Sequence, residues 1–162
     1  MHIRELALVS MLAVAVAACD TVPTTTDDSA LQAAGQGLDS SGYPLGSQQD
    51  LVVTAGDRVF FGFDRYDLTP EGLMTAERQA AWLNTYPNVT VTISGYCDPR
   101  GTEEYNQGLG MRRATTLKTA LADLGVDPNR IATISYGKSI LLVEGSSEEA
   151  YAQDRASVVT LN

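Results

Sequence analysis

Gly95-Tyr96-Cys97-Asp98-Pro99-Arg100-Gly101-Thr102, with Tyr105-Asn106, Leu109-Gly110 and Arg112-Arg113-Ala114 close behind, is the stretch that decides how this chain folds. Just before it, Val89, Val91 and Ile93 alternate with Thr90, Thr92 and Ser94, the two-residue period of a half-buried strand. Just after it, Ala114, Leu117, Leu121 and Leu124 recur at helical spacing and Gly125 supplies a stop, which predicts a helix over 103–124. A Gly- and Pro-bearing loop over 95–102 joins the two. Asp98 follows the strand end, and Arg113 lies on the helix entered through the loop. Glu103 and Glu104 read as first-turn charges that favour the positive end of that helix.

The alternation continues in both directions. Upstream, Arg58-Val59-Phe60-Phe61 is a strand candidate. Thr69-Pro70-Glu71 opens a helix with a hydroxyl cap, Pro at the first helical position and an acidic first turn. Leu73, Ala76, Ala80 and Leu83 give that helix an apolar face, while Trp82 and Tyr86 read as packing residues. Downstream, 131–136 predicts a third strand, 147–154 a short helix and 157–161 a last strand. The order βαβαβαβ predicts an α+β domain with helices packed on one face of a mixed four-stranded sheet.

The N-terminus is of another kind. An apolar run over 6–18 ends in Val16-Ala17-Ala18-Cys19. It is shorter than the roughly 20 residues a spanning helix needs, and small residues precede the cysteine as at a cleavage site. This resembles a bacterial lipoprotein precursor: a signal peptide over 1–18, cleaved, then Cys19 acylated on its thiol and on the new N-terminus. The n-region carries Arg4 but also Glu5. Two or more acyl chains give stable membrane anchoring where one is marginal. Residues 19–51 are rich in Thr, Ser, Gly, Asp and Gln with few large apolar side chains, which predicts a flexible tether. Its root-mean-square span would be about 30 Å, at roughly 5–6 Å × √n. The folded domain is expected over 52–162.

Composition narrows the chemistry. The formal net charge of −9 argues against nucleic acid and anionic lipid surfaces as partners. The single histidine, His2, lies in the signal, so the mature chain is expected to lack imidazole catalysis and imidazole metal ligation. No cofactor is expected. With Cys19 blocked by lipid, Cys97 is left as a lone thiol, read as a small apolar residue at the strand end. Gly137-Lys138-Ser139 lacks the upstream glycine of a phosphate loop, since Ala132 stands there. Asn88-Val89-Thr90 reads as a chance glycosylation pattern.

The stretch over 95–114 resembles the OmpA-like peptidoglycan-binding domain, and within that family the peptidoglycan-associated lipoproteins. Phe60-Phe61-Gly62-Phe63-Asp64-Arg65-Tyr66-Asp67 is similar to the family's first-strand motif, and Ile134-Ser135-Tyr136-Gly137-Lys138 to its third-strand motif. Together these cover nearly all of 57–161. Three departures stand out. Tyr96 replaces a usual His, Cys97 a usual small residue, and Asp154-Arg155-Ala156 an Asn-Arg-Arg signature. The last departure weakens the expectation that the final helix contributes to a site.

The resemblance implies non-covalent capture of diaminopimelate stems of peptidoglycan. The end of that residue is a zwitterion, whose ammonium suits a carboxylate and whose carboxylate suits a bidentate arginine fork. By resemblance Asp98 and Arg113 do this work, with Phe63, Asp64 and Asn106 lining the pocket. From the residues alone, Asp98 and Arg113 read equally well as a structural ion pair closing the loop. Asp67 and Arg112 read as solvated or structural. The resemblance further implies an outer-membrane location, the TolB propeller as a partner, a part in envelope constriction at division, and no catalytic residue. The alternatives are a wall-binding lipoprotein outside the Tol system and, from another class, a wall hydrolase working with carboxylates alone.

Overall fold

The computed structural model describes residues 37–162. The expected signal peptide, Cys19 and the first part of the expected tether lie outside the described residues. Four strands form one sheet: β1 (Arg58–Phe60), β2 (Val91–Tyr96), β3 (Ile131–Gly137) and β4 (Ala156–Leu161), in the spatial order β1-β4-β2-β3. β2 and β3 run parallel, whereas β4 is antiparallel to both β1 and β2. The sheet is therefore mixed, as expected, and the chain's last strand is inserted between its first two. Val59, Val91, Ile93, Ile131 and Val159 alternate onto one face and are all 2% exposed or less, joining Ala76, Ala80, Leu83, Leu117 and Leu121 in a single core.

The helices are α1 (Gln48–Thr54), α2 (Pro70–Thr85), α3 (Glu103–Asp123) and α4 (Glu148–Asp154), with a 3₁₀ turn at Pro128–Arg130. Each is capped by a hydroxyl: Ser47, Thr69, Thr102 and Ser147 accept backbone N–H groups in turn. On α2 the buried stripe runs through Gly72, Ala76, Gln79, Ala80 and Leu83. Leu73, expected on the apolar face, is 45% exposed because it lies in the first turn at the rim of that stripe, just beyond Ala80. On α3, Ala114, Leu117 and Leu121 are fully buried, and Leu124, already past the last turn, is partly exposed. Gly125 ends the helix with φ of 92°.

The sequence reading and the structure differ at the near end of the tether. Residues 48–51 belong to α1, and Leu51 is completely buried. Asp50 fixes this helix to the core by accepting hydrogen bonds from the Gly46 N–H (2.7 Å), the Thr54 hydroxyl (3.0 Å) and the Trp82 indole (3.1 Å). Gln48 adds two bonds to the backbone of β4, at Val159 and Leu161. A seven-residue helix with one buried leucine is too short to show a period in sequence.

The placement of α3 depends on a close approach of backbones. Any Cβ on Gly95 of β2 would run into the carbonyl of Gly110 on α3, and one on Gly110 would meet the Ser135 hydroxyl and the Gly95 carbonyl. Helix and sheet thus touch main chain to main chain, which sets where the side chains of the first three turns of α3 emerge.

Candidate ligand-binding site

At the carboxyl end of β2 the chain leaves the sheet as Cys97-Asp98, and the loop that follows is held from two sides. The Lys138 ammonium reaches the Gly101 carbonyl (2.6 Å), and the Asn106 amide donates to the carbonyls of Arg100 (2.7 Å) and Thr102 (3.0 Å). Between this loop, the start of α3 and the segment after β1 lies a pocket of about 180 Å³. That is smaller than the roughly 300–1,000 Å³ of a site for a drug-sized ligand, so it suits one end group of a larger molecule. All five residues singled out by sequence, Phe63, Asp64, Asp98, Asn106 and Arg113, line it.

Their surroundings assign each a distinct character. Phe63 is 59% exposed at the mouth. Asp64 has φ of 54°, the one non-glycine residue with positive φ among the described residues, and Asp is among the few side chains that tolerate this region. It also accepts a hydrogen bond from the Tyr105 hydroxyl. Asp98 is buried. Burial pushes its carboxyl up, but hydrogen bonds from the Arg100 side chain and backbone and from Arg155 override this and hold it below the usual carboxylate range. Cys97 is an unpaired thiol in the pocket wall, raised by burial and hydrogen-bonded to the Asn106 carbonyl.

Arg113 differs from its expected role. Its side chain is fully buried. Nε donates to the Arg65 carbonyl (2.8 Å), Nη1 to the Tyr96 carbonyl (2.7 Å) and to Cys97 Sγ (3.5 Å), and Nη2 to the Gly62 carbonyl (3.1 Å). Four of the five N–H groups of a guanidinium are thereby committed, so no free fork remains. Burial pulls this guanidinium below its ordinary pKa. Asp98 forms its ion pairs not with Arg113 but with Arg100 (2.6 Å) and Arg155 (3.3 Å), so a loop-closing Asp98–Arg113 pair is not what the structure contains.

Arg100 and Arg155 are the residues that sequence reasoning passed over. Arg155 was discounted with the reduced Asn-Arg-Arg signature, yet its side chain is only 9% exposed and bonds Asp98, Glu148 (2.8 Å) and the Phe61 carbonyl (3.3 Å). The end of the last helix therefore reaches Asp98 of the pocket wall, though Arg155 itself does not line the pocket. The signal available was the arginine itself, retained within the altered signature. Asp154 accepts the N–H groups of Leu142 and Val143 and secures the loop before α4. Of the other departures, only Cys97 lines the pocket. Tyr96 stacks on Tyr136 at 5.3 Å, away from it. Arg112 lies over the rings of Tyr66 and Tyr105, and Asp67 pairs with Arg65 in the open, both apart from the pocket as read. Among the described residues no cluster of His, Cys, Asp or Glu could hold a metal ion, and no helix is long and apolar enough to cross a membrane.

Comparison with known proteins agrees with this geometry. Residues 60–158 match the family model described as OmpA family. A peptidoglycan-associated lipoprotein of Rhizobium meliloti (strain 1021) is 40% identical over 151 residues, 93% of this chain and 84% of that protein. One from Haemophilus influenzae is 39% identical over 149 residues, 92% of this chain and 94% of that protein. The crystal structure of the peptidoglycan-associated lipoprotein from Burkholderia pseudomallei superposes with a TM-score of 0.63 at 32% identity, covering 65% of this chain and 90% of that one. These relatives are named for an association and not for a reaction. The chain belongs to the OmpA family and, within it, to the peptidoglycan-associated lipoproteins.

Proposed function

We propose that this chain is a peptidoglycan-binding lipoprotein that holds the outer membrane to the cell wall. The observation that carries the reading is the pocket itself, a small cleft in which the buried, ionised carboxylate of Asp98 sits among arginines. Such a site suits a small zwitterion, and the free end of diaminopimelate in a stem peptide is one. In this reading Asp98 takes the ammonium, with Asp64 adding negative charge at the rim. Arg113 contributes positive potential and at most one hydrogen bond from the wall, Asn106 keeps the loop in shape, and Phe63 covers the aliphatic part of the ligand. Cys19, acylated after removal of residues 1–18, is the anchor, and the tether lets the domain reach the wall. Family membership supports the further reading that the domain works with TolB in the Tol-Pal system during envelope constriction.

The test is a pull-down with purified sacculi. The wild-type protein is expected to bind, to be displaced by free meso-diaminopimelate, and to release no muropeptides. Asp98→Asn is expected to stay folded and lose binding. Binding that diaminopimelate does not compete would overturn the assignment of the ligand.

A further inference from the structure

Asp98 is saturated in this structure. Its Oδ1 accepts the Arg100 backbone N–H and Arg100 Nε, both at 3.2 Å, and its Oδ2 accepts Arg100 Nη2 at 2.6 Å and Arg155 Nη1 at 3.3 Å. Two donors on each oxygen fill the roughly four lone-pair positions of a carboxylate. An incoming ammonium can therefore reach Asp98 only by displacing a donor already there.

The donors are not equally held. Arg155 is nearly buried and tied also to Phe61 and Glu148, and the Arg100 backbone N–H belongs to a loop clamped by Lys138 and Asn106. The Arg100 side chain is 39% exposed. It is held from outside by the ring of Phe63 (4.2 Å), the ring of Tyr151 (4.8 Å) and the exposed carboxylate of Glu148 (3.3 Å). None of these three contacts runs through Asp98. Once off Asp98 the guanidinium presents a planar fork, the geometry that grips a carboxylate in two places. Arg113, with four N–H groups committed, cannot offer one.

We propose that Arg100 is an exchangeable counter-ion that selects the ligand. It holds Asp98 in the arrangement seen here, gives up that seat to the ligand's ammonium, and transfers its fork to the carboxylate on the same carbon. The exchange conserves charge pairing only for a zwitterion. A bare amine would displace Arg100 and supply no carboxylate in place of Asp98, leaving it only the exposed Glu148, so the pocket discriminates against it. This inference rests on the wall-binding reading and adds the residue that sets its specificity.

Two stem tripeptides test it, L-Ala-γ-D-Glu-meso-diaminopimelate and the same peptide ending in L-lysine, whose side chain carries the ammonium without the carboxylate. Calorimetric titration of the wild-type protein is expected to show at least tenfold tighter binding of the first. In Arg100→Ala, where Asp98 is freed for any ammonium and the fork is gone, the ratio is expected to fall to within about threefold. Arg100→Lys should lie between, because an ammonium can sit on Asp98 but cannot fork. In the wild-type protein, the Arg100 Nε–H resonance should shift when the diaminopimelate peptide saturates the site. A ratio retained by folded Arg100→Ala, or an Arg100 resonance unmoved at saturation, overturns the exchange alone. Wild-type protein that binds neither peptide overturns the wall-binding reading itself.

Discussion

The residue that most changes meaning between sequence and structure is Arg113. Its position in the motif suggests a ligand fork, but its neighbours make it the keystone of two backbone segments, because it satisfies the carbonyls of Gly62 and Arg65 after β1 and of Tyr96 at the end of β2 at once. Leaving even one buried carbonyl without a donor costs about 1–3 kcal/mol. Arg113→Ala is therefore expected to lose several degrees or more of melting temperature together with wall binding, and Arg113→Lys to restore neither fully, as thermal melting and sacculus binding on the same protein will show. A melting temperature unchanged in Arg113→Ala would contradict the keystone role. Cys97 is the contrasting case. Its thiol makes weak contacts and is kept protonated by burial, so Cys97→Ala should keep wall binding within a few-fold and alkylation of the native protein at neutral pH should be slow.

At the scale of elements, the site depends on how α3 lies on the sheet. The backbone contact between Gly95 and Gly110 allows the helix to sit close enough for Asn106 to reach the loop carbonyls and for Arg113 to reach Tyr96. Gly110→Ala would force these backbones apart. Overpacking of this kind costs about 1–3 kcal/mol, and here it also shifts the pocket wall. The expected outcome is a lower denaturant midpoint and weaker binding than the stability loss alone accounts for. Binding equal to wild type under conditions where the variant is fully folded would contradict the coupling. Helix α1 has its own anchor in the Asp50–Trp82 bond, supported by the tilted contact of the Trp82 and Tyr86 rings at 4.7 Å.

For the whole molecule, acid is the condition that strains this fold. Burial pushes Asp50 up, but bonds from Gly46, Thr54, Trp82 and Tyr86 outweigh it and hold its carboxyl below the ordinary range, as the arginines do for Asp98. A carboxyl that titrates lower in the folded chain than in the unfolded one stabilises fully above the unfolded value of about 4, and that contribution is lost as pH falls through the depressed values. Denaturant midpoints measured from pH 6 to pH 2 should stay level to about pH 4 and then decline, with Asp50→Asn flattening part of the decline. The proposed tether and anchor belong to this scale too. Cys19→Ser is expected to leave unprocessed or soluble protein, and continued fractionation with membranes after a high-salt wash would contradict the lipid anchor.

The sequence by itself determined the order of the four strands and of the three helices that follow β1, β2 and β3, and the hydroxyl cap at Thr69, and its resemblance to the family pointed to five of the residues that line the pocket. The first two follow from periodicity and from capping chemistry one turn long, and the pocket residues from the likeness of two separate motifs, over 60–67 and 95–114, to those of the family. Only the tertiary structure decided that β4 lies between β1 and β2, that residues 48–51 fold into the domain, that Arg155 reaches Asp98, and that Arg113 faces backbone instead of solvent. Each of these depends on partners far apart along the chain: 32 residues from Asp50 to Trp82, 57 from Asp98 to Arg155, and 51 from Gly62 to Arg113. Local pattern records which face of an element is apolar. It does not record which distant carbonyl or carboxylate that face will meet, and in this pocket those meetings set the chemistry.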